Sequence, residues 1–219
     1  MLYTTLFFDL DDTLYDNNSG LWEAIKERMN LYMVKCLNLP PAEVPEIRRR
    51  YYLSYGTTLR GLQIHHQVDT DEFLAYVHDL PLAEYLQPDP QLEAMLKILP
   101  QKKWIFTNAD RQHAQRVLAI LGVSDFFVGI IDVHAINFQS KPAREAYWEA
   151  LDIAGKPDPH QCVLLDDSPT NLVPAHRMGF TTVLVGENGS NSSADYIIHR
   201  VHQLPQAIPE LLSDSMVIT

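Results

Sequence analysis

The sequence predicts an α/β fold, a doubly wound parallel sheet with an inserted all-helical domain. From residue 88 onward, short apolar runs that end in polar residues alternate with helical patterns, and such alternation is typical of a parallel sheet. Residues 20 to 85 carry helical patterns without a strong strand pattern. The length of 219 residues suits one domain with an insertion.

The strands are predicted where apolar runs stop abruptly. The first runs from Leu6 to Phe8 and is followed by three acids within four residues. Further runs predict strands at 103–106, within 126–133, at 162–165, at 181–185 and, as a candidate edge strand, at 196–198.

The helices are predicted from three-to-four spacing of apolar residues and from their end signals. In the insertion they cover 20–39, 42–55 and 71–80, and elsewhere 90–99, 111–121, 143–154, 168–178 and 204–212. Gly122 is predicted as a helix C-cap, and residues 186–194 as a polar loop. We expect residues 1–15 and 87–219 to form the α/β core domain and residues 16–86 the helical domain.

Composition excludes some partners and favours one compartment. Lys and Arg total 17 against 28 Asp and Glu, for a net charge of −11, so a nucleic-acid polymer or an anionic membrane is not an expected partner. An anionic small substrate would need a local positive site. Cys36 and Cys162 lie in apolar contexts, which predicts buried thiols. Without a leader pattern or a spanning apolar run, the sequence predicts a cytoplasmic protein.

Asp9 and Asp11 follow the first predicted strand. Ligands of open parallel sheets bind at the carboxyl ends of the strands, and alternation points both side chains the same way if the extended geometry continues to residue 11. Two carboxylates in one cleft repel each other unless a cation lies between them, and Mg²⁺ prefers such oxygen ligands. The alternative is a solvated acidic turn in which Asp12 or Thr13 caps a helix.

Polar residues also follow other predicted strands or precede a helix. They are Thr107 and Asn108, Lys141, and the pair Asp166 and Asp167. Each has an ordinary alternative, a turn or helix cap for the first and last pairs and a surface lysine for Lys141. Their joint occurrence at one end of one sheet favours a single polar site.

These residues resemble a known family. Asp9-Leu10-Asp11-Asp12-Thr13, Thr107-Asn108, Lys141-Pro142 and Asp166-Asp167 resemble, in the same order, the four motifs of the haloacid dehalogenase (HAD) superfamily. The helical insertion is similar to the C1 cap of that superfamily. The resemblance implies a HAD-like, Rossmann-type core with an inserted all-helical C1 cap.

The resemblance also implies catalytic and phosphate-binding roles. Asp9 would attack phosphorus and form an aspartyl phosphate. Asp11 would protonate the leaving oxygen and then deprotonate the water that hydrolyses the intermediate. Thr107 and Asn108 would hold phosphate oxygens, and Lys141 would neutralise the charge of the nucleophile and the phosphate.

The implied cofactor is Mg²⁺. Its ligands by resemblance are the Asp9 carboxylate, the Asp11 backbone carbonyl and Asp167, with Asp166 nearby or acting through water. The metal and Lys141 together would supply the positive field that the net charge of −11 does not.

Asp11 separates the subgroups of the superfamily. The dehalogenases lack this second aspartate and work without a metal, and the phosphoryl-transfer ATPases have threonine there. Asp11 therefore implies hydrolysis of a stable phosphoester, and an insertion of this size would close over a small substrate and exclude water.

A finer resemblance is to the pyrimidine 5′-nucleotidase group. The segments that resemble it are Tyr55 to Leu62, Leu80-Pro81-Leu82, Leu86 to Pro90 and Leu165 to Asn171. It implies hydrolysis of a pyrimidine nucleoside monophosphate such as UMP or CMP, by a monomer or homodimer. Open alternatives are a phosphatase for a sugar phosphate or other small phosphoester, and a non-catalytic phosphometabolite-binding protein.

Three residues near or within the insertion are candidates for substrate contact. Arg60 could pair with a phosphate or a base carbonyl, or bond backbone carbonyls at a helix end. Tyr15 and Tyr55 could stack on a base, or simply pack in the core or the cap.

Overall fold

The computed structural model describes residues 2–186 and 193–212, so most of the predicted loop at 186–194 lies outside the described residues. The chain divides into two compact units, one within Met1–Asn18 and Leu86–Thr219, the other Ser19–Tyr85. In the described part of the chain, none of the helices is both long and apolar enough to cross a membrane.

The described strands form one six-stranded sheet, and every pairing in it is parallel. The strands are β1 (Thr5–Phe8), β2 (Lys102–Phe106), β3 (Gly129–Ile131), β4 (Cys162–Asp166), β5 (Thr181–Val185) and β6 (Tyr196–Ile198). Their order is β3-β2-β1-β4-β5-β6. This confirms the predicted parallel α/β fold and the edge position of 196–198.

The sheet changes its winding direction at β1. Phe7 pairs with Trp104 of β2 on one side and with Leu164 of β4 on the other. From β1 the chain builds outward to β2 and β3, then returns to build β4, β5 and β6. The switch point therefore lies between β1 and β4, and the crevice beyond the carboxyl ends of such strands is where ligands bind.

Helices of the α/β unit follow the predicted pattern closely, with shifts of one residue at several ends and a larger shift at the end of the last helix. After the insertion, these helices are α5 (Pro90–Ile98), α6 (Arg111–Leu121), α7 (Arg144–Ile153), α8 (Pro169–Met178) and α9 (Leu204–Ala207). Pro142 precedes α7 instead of opening it. The last helix begins at Leu204 as predicted, but its predicted end at residue 212 was wrong, because α9 ends at Ala207 and Ile208 leaves helical geometry before Pro209.

One apolar core packs against the sheet. Phe7, Phe106 and Leu164 lie in it with Tyr147 of α7 and Leu172 of α8. Full burial of each large apolar side chain contributes about 1.5–3 kcal/mol, so the strands that carry the site are well anchored. Cys162 is buried there as predicted, whereas Cys36 is exposed, because it lies just past the end of a surface helix.

The second unit contains only helices and short 3-10 turns. Its helices are α1 (Leu21–Lys35), α2 (Val44–Tyr55), α3 (Thr58–His66) and α4 (Thr70–His78). Helix α3 was not predicted, because glycines and threonines flank and interrupt its pattern. Thr57 caps it by accepting a hydrogen bond from the Arg60 N–H, 3.1 Å away.

Candidate active site

Asp9 lies at the switch point, and a tight turn follows it. Its N–H donates to the Leu165 carbonyl across 2.9 Å, which ties the end of β1 to β4. The chain then turns, because the N–H of Leu14 donates to the Leu10 carbonyl and Asp12 has a φ of 58°. The extended geometry does not continue to Asp11, so the expectation based on alternation was wrong.

Lys141 stands between two carboxylates. Its Nζ lies 2.8 Å from Asp9 Oδ1 and 2.6 Å from Asp166 Oδ2, and the residue is 0 % exposed. Burial alone would lower the pKa of Lys141, but Asp166 and Asp9 outweigh it and raise the pKa above its ordinary value. The ammonium is therefore a fixed positive charge in contact with Asp9.

Asn108 holds the backbone of Lys141. Its Nδ2 donates to the Lys141 carbonyl across 2.9 Å, and its Oδ1 accepts from the Lys141 N–H at 2.8 Å. Thr107 is buried at the end of β2, where its hydroxyl accepts from the Ala109 N–H at 3.0 Å. Contacts of Thr107 and Asn108 with a phosphate stay predictions.

Asp9, Asp166 and Asp167 form an oxygen-only cluster. Each offers a carboxylate oxygen, and these atoms lie within 4.8 Å of one another. Burial raises the pKa of Asp9 to about 7 against the opposing effect of Lys141, and burial with the charge of Asp166 raises the pKa of Asp167 to about 9. A hard divalent cation would offset this repulsion, so the donor set fits Mg²⁺.

Hydrogen bonds orient Asp166 within that cluster. Its Oδ1 accepts from the Ser168 N–H at 2.9 Å and from Asn171 Nδ2 at 3.0 Å. These donors come from the start of α8, so the end of β4 and the next helix fix the carboxylate together. The carboxyl of Asp11 is not part of the cluster, and its backbone carbonyl as a metal ligand stays a prediction.

Asp11 has its own hydrogen-bond partners. Its Oδ1 accepts from Tyr15 Oη at 2.6 Å and contacts His113 Nε2 at 2.8 Å. Beside it, the Thr13 hydroxyl donates to Asp9 Oδ2 at 3.2 Å. Tyr15 is buried with its hydroxyl on Asp11, which corresponds to the packing alternative more than to base stacking.

His113 was not predicted as a site residue, although its position in the sequence gives a signal for a buried polar contact. It shares the buried face of α6 with apolar residues Ala114, Val117, Leu118 and Leu121. A histidine in an apolar helical stripe needs a buried polar partner, and this one follows Thr107-Asn108 by only a few residues. Thr13 was considered only as a helix cap, because its contact with Asp9 depends on the turn.

Arg60 and Tyr55 belong to the helical unit. Arg60 is exposed on α3, where its Nη1 donates to Gln63 Oε1 at 3.2 Å. The hydroxyl of Tyr55 contacts His65 Nε2 at 2.7 Å. Their roles in substrate binding stay predictions.

Comparison with known proteins gives a consistent family. A model for haloacid dehalogenase-like hydrolases matches residues 3–179. Phosphate metabolism protein 8 of Saccharomyces cerevisiae is 28% identical over 226 residues, which cover 97% of this chain and 70% of the yeast protein.

Solved structures share the fold. A HAD phosphatase from Thermococcus onnurineus has a TM-score of 0.64 at 19% identity, covering 93% of this chain and 96% of that chain. An L-2-haloacid dehalogenase from Xanthobacter autotrophicus has a TM-score of 0.60 at 16% identity, covering 95% and 98%. A HAD-hydrolase from Bacillus subtilis, bound to magnesium, has a TM-score of 0.63 at 16% identity, covering 97% and 100%. At identities this low, the solved structures show a shared fold and nothing more. The family match spans most of the chain, and the protein therefore belongs to the haloacid dehalogenase-like hydrolases.

Proposed function

We propose that this hydrolase is a Mg²⁺-dependent phosphomonoester hydrolase that acts through an aspartyl phosphate on Asp9. The observation that carries the proposal is the buried Lys141 ammonium, 2.8 Å from Asp9 and 2.6 Å from Asp166. A nucleophilic carboxylate beside a fixed positive charge and a set of oxygen donors is the arrangement that phosphoryl transfer requires. The name of the yeast relative, a phosphate metabolism protein, is consistent with this.

The proposed reaction gives each of these side chains one role. Asp9 attacks phosphorus while Lys141 neutralises charge on the carboxylate and the phosphate, and the Thr107 hydroxyl binds a phosphate oxygen. Asp11 gives its proton to the leaving oxygen and then takes one from the water that hydrolyses the aspartyl phosphate. Mg²⁺ held by Asp9, Asp167 and Asp166 would neutralise charge on the transferred phosphoryl group.

Phosphoester hydrolysis is favoured over dehalogenation by Asp11. A carboxyl with dedicated hydrogen-bond partners next to the nucleophile is suited to proton transfer, and displacement of a halide needs no proton on the leaving group. The cluster of Asp9, Asp166 and Asp167 also favours a metal-dependent reaction.

For the substrate we propose a pyrimidine nucleoside 5′-monophosphate, UMP or CMP. The support is the resemblance of residues 55–62 to the pyrimidine 5′-nucleotidase group. A sugar phosphate or another small phosphoester is the second candidate, because the catalytic residues are the same for both and only substrate-contacting residues differ.

The experiment is phosphate release from UMP, CMP, dUMP, AMP, GMP, a sugar phosphate and 4-nitrophenyl phosphate, with Mg²⁺ and with chelator. Metal-dependent preference for UMP and CMP supports the full proposal. Metal-dependent release without that preference keeps the phosphatase and rejects the nucleotide assignment. Binding heat in calorimetry without any phosphate release would instead favour a non-catalytic phosphometabolite-binding protein.

A further inference from the structure

We propose that His113 and Tyr15 are positioning residues that fix the carboxyl of Asp11 for proton transfer. The inference rests on the proposed phosphatase function and adds two residues to it. Both side chains act through Asp11, and neither is assigned a contact with the reacting atoms.

Two side chains converge on one oxygen of Asp11, and since a carboxylate oxygen accepts hydrogen bonds, we assign to His113 the tautomer with its proton on Nε2. Tyr15 Oη and His113 Nε2 lie 2.6 Å and 2.8 Å from Oδ1. They come from different parts of the chain, Tyr15 from the turn that carries Asp11 and His113 from α6, 102 residues away. Two bonds from separate elements restrict rotation of the carboxyl about its Cβ–Cγ bond, since a rotated carboxyl would lose at least one of them.

Because His113 and Tyr15 are both buried, loss of either contact with Asp11 is costly. His113 is 1% exposed and Tyr15 is 8% exposed, and a buried donor that loses its acceptor costs about 1–3 kcal/mol. The hydroxyl of Tyr15 is the donor in its hydrogen bond to Asp11.

The start of α6 holds His113 in place. Asp110 caps the helix by accepting a hydrogen bond from the backbone N–H of His113 itself, at 2.9 Å. Asp132, buried just after β3, accepts from the Arg111 N–H at 3.1 Å and from Arg111 Nη2 at 3.3 Å. The ends of β2 and β3 therefore determine where the imidazole lies.

Because Oδ1 of Asp11 accepts the hydrogen bonds of Tyr15 and His113, we assign the transferred proton to Oδ2. In the first step the Oδ2–H bond breaks and its proton goes to the leaving oxygen, while an Asp9 oxygen bonds phosphorus and the phosphorus–ester oxygen bond breaks. In the second step Oδ2 takes a proton from water as the water oxygen bonds phosphorus and the Asp9–phosphorus bond breaks. Asp9 returns as a carboxylate, Asp11 returns protonated, and inorganic phosphate leaves.

The test compares two leaving groups. An alkoxide leaves poorly without a proton, whereas 4-nitrophenolate leaves well without one, so loss of acid positioning reduces alkyl ester hydrolysis selectively. The variants are His113→Ala, His113→Gln and Tyr15→Phe. Each is assayed for kcat/KM with 4-nitrophenyl phosphate and with the nucleotide or sugar phosphate that the wild type hydrolyses fastest.

Matched controls lie elsewhere in the α/β unit. Tyr3→Phe removes a buried tyrosine hydroxyl that accepts from the Thr181 hydroxyl at 3.1 Å. His176→Gln removes an imidazole that contacts Asp195 at 3.3 Å. Neither residue touches Asp11, and we expect both controls to keep wild-type kcat/KM for both esters.

For His113→Ala we expect kcat/KM for the alkyl ester to fall about 10–100-fold, and for the aryl ester less than about threefold. His113→Gln, which keeps an N–H donor, should recover most of the loss, and Tyr15→Phe should show the same selectivity. Equal falls for the two esters, or no recovery with glutamine, would overturn the positioning role while leaving the phosphatase intact.

Failure of the proposed function gives a different result. In that case the wild type itself releases no phosphate from either ester, and the positioning role falls with it. Thermal unfolding checks each variant. If His113→Ala does not fold, the near-isosteric His113→Gln and Tyr15→Phe decide the outcome, because Tyr15→Phe must still reduce the alkyl ester selectively and His113→Gln must stay close to wild type.

Discussion

Burial of the Lys141 ammonium costs free energy, but it places a positive charge within the site. An isolated ammonium without exposed surface would lose its proton or leave the core, yet contacts with Asp9 and Asp166 keep this one charged. Such a pair is a poor source of stability compared with apolar packing. Its value lies in placing a charge against the carboxylate that is proposed to attack phosphorus.

Replacing the nucleophile should separate activity from folding. We expect Asp9→Asn to reduce phosphate release by at least about 10³-fold, because an amide cannot form the acyl phosphate. Lys141 retains Asp166, so the melting temperature should stay within a few degrees of wild type. Asp16→Asn, at an exposed ion pair with Arg200, is the control that should keep full activity. Appreciable turnover by Asp9→Asn would reject this nucleophile.

Asn108 has two possible roles, holding the Lys141 backbone and binding a phosphate oxygen, and one variant distinguishes them. Removal of its amide by Asn108→Ala breaks two hydrogen bonds to the Lys141 backbone, and we expect a loss of about 1–3 kcal/mol of stability together with a lower kcat. Urea unfolding and steady-state kinetics measure both. A variant of unchanged stability with only a raised KM would instead assign Asn108 to phosphate binding alone.

The sequence contains the strand-end residues of the site but not the contacts between them. Asp9, Thr107 and Asp166 each end an apolar run, and that pattern is local. The contact of His113 with Asp11 depends on which strands are neighbours, and nothing local encodes a partner 102 residues away. The hydrogen bonds of Asn108 to the Lys141 backbone, 33 residues away in the chain, were likewise not predicted, and the assignment of Asn108 to phosphate stays a prediction.

At the scale of elements, the start of α6 connects the sheet to Asp11. We expect Asp110→Ala to cost about 0.5–2 kcal/mol of stability, as loss of a helix cap does. Asp89→Ala, which removes the cap of α5, should cost a similar amount. Only Asp110→Ala should lower phosphatase activity, because only that cap binds the N–H of His113. Equal activities of the two variants would contradict the link from α6 to the site.

The packing of α2 against α3 depends on one glycine. A Cβ at Gly61 would lie 2.3 Å from Cγ of Tyr51. Alanine normally stabilises a helix interior by about 1 kcal/mol relative to glycine, but here we expect Gly61→Ala to destabilise the protein by about 1–3 kcal/mol. Thermal unfolding measures the sign, with Ile64→Ala at an exposed position of α3 as control. A stabilised Gly61→Ala would mean that Tyr51 moves without cost.

The same glycine explains why α3 was hard to predict. Glycine and threonine lower helix propensity, and the pattern between Gly56 and Gly61 predicts an interruption. The close approach of Tyr51 outweighs that propensity. The strands were easier to predict than α3, because buried parallel strands are continuous apolar runs. Polar residues begin where the hydrogen bonds between neighbouring strands end.

For the whole molecule, topology brings the site together. Residues from position 9 to position 167 meet because the sheet grows in both directions from β1. The chain carries a net charge of −11, and the acids of the site are among the 28 acidic residues that produce it. Binding of the proposed anionic phosphoester would therefore depend on local cations such as Lys141 and the proposed Mg²⁺.

The cluster of buried acids predicts that the free energy of unfolding depends on pH and on Mg²⁺. The pKa of Asp167 is raised to about 9 from an ordinary value near 4, so between these values the folded state binds more protons than the unfolded state. The stability of the metal-free protein should therefore fall as pH rises through that window. Mg²⁺ should reverse the loss, by about 2.7 kcal/mol at a hundredfold excess over its Kd, or roughly 5–10 °C in melting temperature.

The variant Asp167→Asn tests whether that effect arises at the carboxylate cluster. Without metal at pH 8 it should be more stable than wild type by a few degrees, because an amide folds without taking up the proton that Asp167 must bind at that pH, and its response to Mg²⁺ should shrink. Asp152→Asn, at an exposed pair with Lys156, should respond to Mg²⁺ as wild type does. Differential scanning calorimetry with Mg²⁺ or chelator at pH 5 and pH 8 gives all of these values. Equal Mg²⁺ shifts in wild type and Asp167→Asn would place the stabilising ion elsewhere, whereas a shift confined to chains that retain Asp167 assigns it to the site that also holds Asp9.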